Sequence, residues 1–429
     1  MADSTRKHRV VILGSGWGGI RLAQDLNLNV FDVTVVSPRD HFVMTPLLAS
    51  AAVGTVDISC ISQPVQRIRW SNEIHFVEAS CESINMVGKE VDCVSTMSSN
   101  SSVHVPFDSL IIAVGGKSNV FGIPGVREHA VFLKEVSDAN EIRKRISTCF
   151  KRASQENLTD DERKNLLHFA VIGGGPTGVE FIAELNDCLT EDMNKLYPHL
   201  QKFVSLALYT SGASILQSFS PKLVHFAMKH FQKNGIPVSF QSSVESVEES
   251  KFTLKGGRSI HYGMLVWCAG VAPVELVTRL TDGPHAIAAN DKKSKRILTD
   301  EYLRVLAPDR MSPLEGVYAL GDCADILGQG VPGTAQAANQ KGVWLSKSYV
   351  GKWRAILDAN DPPEIPASPS LIKRLQKAPF YILPSFGILT FFIWRGFYLI
   401  ITKSLKKQVQ LLKSWVLNFV FGRDILDIQ

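Results

Sequence analysis

Glycines at fixed spacing are the residues of this sequence best suited to chemistry. Gly14-Ser15-Gly16-Trp17-Gly18-Gly19 follows the apolar run Val10 to Leu13 and opens a helical stretch that ends near Leu28. This is a strand, a G-x-G-x-x-G turn and a helix. Gly14 permits the tight turn, Gly16 lets a pyrophosphate approach the backbone, and Gly19 lets helix and strand pack closely, with the helix N-terminus facing the phosphates. The pattern recurs at His168 to Ile172, followed by Gly173-Gly174-Gly175-Pro176-Thr177-Gly178 and a helix bearing Glu180 and Glu184. Two such units are far more specific than one. They imply two bound dinucleotides, the usual arrangement when one is a flavin and the other a nicotinamide.

Other residues converge on the same chemistry. Each unit is closed by an apolar strand ending in small residues, Leu110 to Gly116 with Ala113 and Gly115, and Met264 to Gly270 with Ala269 and Gly270. Small residues there let a cofactor lie against the backbone. The strand Val33 to Val36 ends in Ser37-Pro38-Arg39, where an acid would normally hold the adenine ribose and none is present. Gly316 to Ala324 reads as a strand ending in Gly321-Asp322. Its Asp can reach the ribityl chain or phosphates of FAD with a following helix N-terminus assisting, or it is simply a turn residue. Gln336 and Gln340 are four apart and share one helical face, which read alone is a solvated polar helix.

Together these segments resemble the two-dinucleotide flavoproteins, and within them the eukaryotic type II (alternative) NADH:ubiquinone oxidoreductases. The likeness runs along nearly the whole chain. It is carried by Ser37-Pro38-Arg39, Thr45-Pro46-Leu47-Leu48, Gly54-Thr55-Val56, Phe132-Leu133-Lys134-Glu135, Gly173 to Glu184, Leu196-Tyr197-Pro198 and Phe421-Gly422-Arg423-Asp424. The most discriminating match, Thr334-Ala335-Gln336-Ala337-Ala338-Asn339-Gln340-Lys341-Gly342, is similar to the family's AQxxxQ segment beside the flavin ring. The resemblance implies FAD, NADH as donor and ubiquinone as acceptor, with Gln336 and Gln340 meeting the quinone carbonyls. It also implies that Glu180 lies by the nicotinamide, although as sequence alone Glu180 could be a helix N-terminal acid stabilised by the dipole. Thr45, Pro46 and Ala335 join the glycines, Thr177 and Asp322 as residues expected at the cofactors.

The chain departs from the family pattern in two places. After Val204 to Tyr209 it has Thr210-Ser211-Gly212 instead of an acid for the ribose 2′-hydroxyl, which makes NADPH possible while NADH stays the default. The stretch between Phe380 and Trp394 is shorter than in relatives, so the quinone pocket is expected to be more open or the activity altered.

The elements that must position these residues follow from size and composition. At 429 residues, with 45% hydrophobic and 20% charged residues, the chain can bury a large core and should divide into domains. A formal charge of +5 does not suggest nucleic acid as a partner. Seven scattered cysteines include no C-x-x-C or C-x-x-x-x-C, which argues against a redox dithiol, a thiol-disulfide reductase and a metal site. The expected fold class is α/β, with two Rossmann-like dinucleotide-binding domains, for FAD and NAD(P)H, plus a C-terminal helical membrane-anchoring segment. The expected division is 1–160 and 286–355 for FAD, 161–285 for NAD(P)H, 356–370 as a Pro-rich linker, and 371–429 for helices that anchor and dimerise.

The C-terminal segment is distinct in composition. Ser385 to Ile401 is apolar except for Ser385, Thr390 and Arg395, follows Pro384 as a helix start, and falls short of a membrane span. Leu405, Val409, Leu412, Val416 and Phe419 then repeat at helical spacing, with Lys406, Lys407, Gln410, Lys413 and Asn418 polar. That pattern describes a helix lying in an anionic membrane interface, or else a domain-packing or dimer helix. Membrane lipid, quinone and a second copy of the chain are therefore the expected partners, and the expected location is peripheral on the mitochondrial inner membrane. The leader Met1 to Arg9 is too short and too mixed in charge to support a presequence. The nearest competing reading is a soluble or weakly active NAD(P)H-binding flavoprotein of the apoptosis-inducing-factor-like type.

Overall fold

The computed structural model describes residues 6–67, 74–98, 101–357 and 405–423. Two compact units divide the chain, each assembled from separated stretches of sequence.

The first unit comprises Met1–Phe42, Gln63–Lys117 and Val271–Pro379. At its centre His8–Leu13 runs parallel to Phe31–Ser37 on one side and Ser109–Ile112 on the other. Ile74–Asn85 and Pro313–Ala319 extend that parallel core outward. Val10, Val11, Ile12 and Leu13 are each at most 1% exposed, because a parallel sheet is covered on both faces. Strand alternation then sorts them. Val10 and Ile12 pack with Leu22, Leu26 and Phe31, while Val11 and Leu13 pack with Leu110, Leu276 and Val317. Beyond Ile74–Asn85 the sheet continues antiparallel through Glu90–Ser95 and Ser102–Pro106.

That antiparallel pairing corrects the reading of the cysteines as wholly scattered. Cys81 and Cys93 stand directly opposite across the ladder and are both buried. Each thiol donates to a backbone carbonyl, Cys81 to Ser83 and Cys93 to Val91, and the closeness of the two sulfurs holds Cys93 below its ordinary range while pushing Cys81 above it.

The second unit comprises Val43–Ser62, Ser118–Gly270 and Phe380–Gln429. Its five-stranded parallel sheet runs in the spatial order Val131–Phe132, Met264–Trp267, His168–Ile172, Ser205–Tyr209 and Val238–Ser239. A small antiparallel sheet, Val244–Val247, Lys251–Leu254 and Ser259–His261, supplies Phe252 and Leu254 to the same core.

This division differs from boundaries at 160 and 285. Val131–Phe132 pairs with Val266–Trp267, so the chain from Ser118, including the long Val136–Ala153 helix, belongs with the second sheet. Ala335–Leu357 is one helix that runs past the expected linker start at 356.

The two units repeat one detail. His8 begins the central strand of the first, and its Nε2 lies 2.9 Å from Ser109 Oγ at the start of the neighbouring strand. His168 begins the equivalent strand of the second, with Nδ1 2.7 Å from Ser205 Oγ at the start of its neighbour. Burial pushes both imidazoles down to about 4.

Leu405–Phe421 is helical, and no helix among the described residues is long and apolar enough to cross a membrane. The helix does not bury the apolar stripe read from its period. Leu405, Val409, Leu412 and Val416 are 76%, 58%, 46% and 60% exposed, whereas Leu411 and Trp415 are buried. Its inner face is held to the second unit: Ser414 Oγ accepts from the Asp57 N–H at 3.0 Å, Asn418 Nδ2 donates to the Thr55 carbonyl at 3.3 Å, and Lys407 donates to the Ser59 carbonyl. The Pro-rich linker, Ser385–Ile401 and the shortened 380–394 stretch lie outside the described residues.

Candidate functional site

In the first unit the glycine turn is built by close backbone approach. Gly14 has φ +111°, and a Cβ there would lie 2.4 Å from the Ala113 carbonyl oxygen. On Gly19 it would lie 2.2 Å from the Gly14 oxygen, and on Gly18 it would lie 2.0 Å from Leu320 Cδ1. Gly16 is different: nothing stands within 4 Å of its Cβ position. Gly16 caps the Trp17–Asp25 helix without a side-chain hydrogen bond, and the N-terminus of such a helix suits an anion.

The neighbouring loop is held by hydroxyls. Ser15 and Ser37 are buried with their Oγ atoms 3.0 Å apart, and Ser37 Oγ accepts from the Arg39 N–H at 3.2 Å. Pro38 sits between them, so the segment that lacks a ribose acid is fixed by its own serines. Ala113 follows the neighbouring strand Ser109–Ile112, and Gly115 comes next but one with φ +68° and open space around it.

Asp322 departs from expectation in its setting. It lies in a single 3₁₀ turn, Gly321–Cys323, and the short strand Ala324–Ile326 follows, so no helix N-terminus comes directly after it. Gly333 is what accommodates Asp322 and Arg296, because a Cβ there would be 3.1 Å from Asp322 Oδ1 and 2.8 Å from Arg296 Nη2. The long helix begins at Ala335 and carries Gln336 and Gln340 one turn apart. Among the described residues Gln340 Oε1 is buried without a hydrogen-bond partner, and beside it Lys341 is only 3% exposed. Burial lowers the Lys341 pKa, with Asp325 opposing. This helix is brought against Trp17–Asp25 by Gly342, whose Cβ position is 2.8 Å from the Gly18 oxygen.

The second unit repeats the turn. Gly173 has φ +124° with its Cβ position 2.7 Å from the Cys268 oxygen, and that of Gly178 is 2.0 Å from the Gly173 oxygen. Gly175, the middle glycine, again has nothing within 4 Å. Pro176 and Thr177 open the Pro176–Asp187 helix, which also has no side-chain cap. A Cβ on Gly174 would lie 2.9 Å from Thr210 Oγ1, and that buried hydroxyl accepts from the Gly212 N–H at 3.2 Å. Ala269 and Gly270 follow the closing strand, with Gly270 at φ +70° over the Phe121 ring. Thr45 and Pro46 form the 3₁₀ turn Thr45–Leu47, within this unit and not with the first glycine turn.

Glu180 and Glu184 stand four residues apart on the Pro176–Asp187 helix. Glu180 opens to solvent yet sits deep among protein atoms; that burial, with the Glu184 charge adding, pushes its carboxyl up to about 7. Water on the open side screens part of the effect. Glu184 accepts from Ser50 Oγ at 2.7 Å and Thr55 Oγ1 at 2.6 Å. Sequence reasoning missed Ser50 and Thr55 as partners of Glu184, and Arg423 as the partner of Thr55. Their only signal was that Gly54-Thr55-Val56 and Phe421-Gly422-Arg423-Asp424 matched a family pattern without a role attached.

The pyridine nucleotide-disulphide oxidoreductase family model matches residues 8–342. The chain is 37% identical to "Probable NADH dehydrogenase" of Dictyostelium discoideum over 97% of its own length and 90% of the relative's. It is 33% identical to "Internal alternative NAD(P)H-ubiquinone oxidoreductase A1, mitochondrial" of Solanum tuberosum, over 98% of this chain and 88% of that protein. NDH2 from Plasmodium falciparum, solved in complex with NADH, shares the fold with a TM-score of 0.84 at 23% identity, covering 98% of this chain and 100% of that one.

Proposed function

Because this chain belongs to the pyridine nucleotide-disulphide oxidoreductase family, we propose that it works as a type II NADH:ubiquinone oxidoreductase. With FAD it oxidises NADH, delivers the electrons to membrane ubiquinone and pumps no proton. The contrast within each glycine turn carries this reading. Outer glycines Gly14, Gly19, Gly173 and Gly178 are forced by protein backbone, while Gly16 and Gly175 face open space. A glycine that the protein itself does not require is what a pyrophosphate needs, and one stands in each of the two glycine turns.

Bound FAD would supply acceptance of hydride from a nicotinamide and release of electrons to a quinone. The residues do the rest. The uncapped first turns at Gly16 and Gly175 donate N–H groups to phosphates. Gly18, Ala113, Gly115, Gly321, Asp322 and Ala335 form the flavin side, with Ser37, Pro38 and Arg39 at the adenosine end. Gly174, Thr177, Thr210, Ala269 and Gly270 form the nicotinamide side, and Thr45 and Pro46 add their turn. Thr210 offers a neutral hydroxyl, so NADH is the donor and NADPH is not repelled. Glu180, with a carboxyl near neutrality, can hold or release a proton at working pH. Gln340 Oε1, which has no partner among the described residues, lies one turn from Gln336 and suits a quinone carbonyl, since the amide turned over presents its NH₂ there.

We place the enzyme peripherally on the mitochondrial inner membrane. Relatives are named mitochondrial, and the exposed stripe Leu405, Val409, Leu412 and Val416 beside Lys406 and Lys413 suits an anionic lipid surface. Quinone is confined to lipid, so its reductase must sit there. The same C-terminal helices are proposed to pair two copies of the chain, which light scattering in detergent would read. The deciding experiment is optical. Purified protein should carry FAD whose absorbance NADH bleaches and a short-chain ubiquinone restores; bleaching without recovery by quinone would favour an oxidase or signalling flavoprotein instead.

A further inference from the structure

The end of the C-terminal helix reaches the acid pair through one hydroxyl. Arg423 is nearly enclosed, its side chain 9% exposed, and its Nη1 bonds Asp192 at 2.7 Å and Glu191 at 2.8 Å. Its backbone N–H donates to Asp192 Oδ1 at 3.1 Å. Gly422 ends the helix at φ +85°, with its Cβ position 2.8 Å from the same Asp192 oxygen, so the approach leaves no room for a side chain. A further guanidinium donor, Nε, bonds Thr55 Oγ1 at 2.9 Å. Thr55 is buried and has a single hydroxyl hydrogen. With an N–H arriving on its oxygen, that hydrogen is directed to Glu184 Oε2 at 2.6 Å.

We propose that Arg423 is a positioning residue for Glu180: by orienting the Thr55 hydroxyl onto Glu184, it keeps Glu184 the charged member of the pair and leaves their proton on Glu180. A carboxylate holding two hydroxyl donors is stabilised in its ionised form. Once Thr55 turns away, Glu184 keeps only Ser50, and the proton can pass one helical turn to it. Other charged groups lie near the pair. Arg143 donates to the Ala51 and Val56 carbonyls, Glu191 and Asp192 are taken by Arg423, and Asp187 lies one turn further along the helix. The neutral preference already seen in Glu180, raised by burial and by Glu184, agrees with this division. Seating of the C-terminal helix thereby reaches the acid proposed to lie beside the nicotinamide, and the inference rests on that reading of Glu180.

The test titrates the protonated-carboxyl infrared band of the FAD-loaded full chain, taking as Glu180 the band absent from Glu180→Gln. Thr55→Val and Arg423→Gln are each expected to move its midpoint down by at least about one pH unit, as Glu180 loses a charged neighbour. Thr55→Ser should restore it, and the double variant should move it no further than either single one, because both act through one hydroxyl. The pH profile of kcat/KM for NADH should shift in step. Where Arg423→Gln fails to fold, with Glu191 and Asp192 left unpaired, Thr55→Val decides alone. An unmoved midpoint in Thr55→Val with native flavin content overturns the proposal. So does the lack of any Glu180-dependent band in wild type. Neither outcome touches the bleaching and recovery by which the oxidoreductase reading itself stands or falls, whereas a kcat/KM inflection that survives in Glu180→Gln removes Glu180 from that reading.

Discussion

Gly175 and Gly178 lie three residues apart in one turn, yet a methyl group added to each meets different things. On Gly178 it would sit 2.0 Å from the Gly173 oxygen, so Gly178→Ala must push the Pro176–Asp187 helix off its strand. Overpacking of this kind costs about 1–3 kcal/mol, and the thermal midpoint should fall by several degrees. On Gly175 the methyl meets nothing within 4 Å. Gly175→Ala should therefore melt like wild type and keep its FAD, but raise KM for NADH about tenfold or more, equivalent to ~1.4 kcal/mol of lost binding. Melting curves beside steady-state kinetics separate the two, and equal melting loss in both variants would remove the argument that Gly175 is glycine for a ligand. These roles were legible in sequence because a G-x-G-x-x-G turn fixes geometry within six residues. The support around Glu184 was not, since Thr55 and Arg423 are 368 positions apart and only the folded chain makes them neighbours.

Among elements, the C-terminal helix shows how far periodicity reads. Leu405, Val409, Leu412 and Val416 share one face, but Leu411 and Trp415 are apolar on another, so the sequence allowed either face to meet the protein. The structure buries the second and leaves the first outward. Val409→Glu with Val416→Glu should leave the unfolding free energy within about 0.5 kcal/mol of wild type, as for exposed positions. The same pair should abolish most co-sedimentation with anionic vesicles, and vesicle binding equal to wild type would refute the membrane role of that face. Leu411→Ala, at a fully buried site, should instead destabilise by about 2–5 kcal/mol. Parallel strands were equally legible, because runs such as Val10 to Leu13 bury both faces and cannot alternate. The Cys81–Cys93 pair was not, since it depends on a hairpin register that motif spacing does not encode.

For the whole molecule, the repeated His–Ser pair ties both units to one pH dependence. His8 and His168 are held near 4 chiefly by burial, against an ordinary 6.5. Between those values the unfolded chain binds a proton that the folded chain refuses, so stability falls as pH drops from about 6.5 towards 4. Each histidine accounts for about 1–2 kcal/mol once partial exposure is allowed for. Glu180 acts with the opposite sign. Its folded value near 7 exceeds the ordinary 4.5, so the folded chain keeps a proton the unfolded chain has lost, and stability falls as pH rises through that interval. Melting temperature should consequently be highest between roughly pH 6 and 7. His8→Gln and His168→Gln should each flatten the acid side. Glu180→Gln should raise the melting temperature at pH 7.5 while slowing turnover, because a carboxyl whose folded value exceeds its unfolded one is ionised at that pH at the expense of stability. Thermal melts from pH 4.5 to 8 on the three variants read all of this. A Glu180→Gln protein no more stable than wild type at pH 7.5 would mean that Glu180 ionises in the folded chain as easily as in water, and its place as the proton-holding acid would have to be given up.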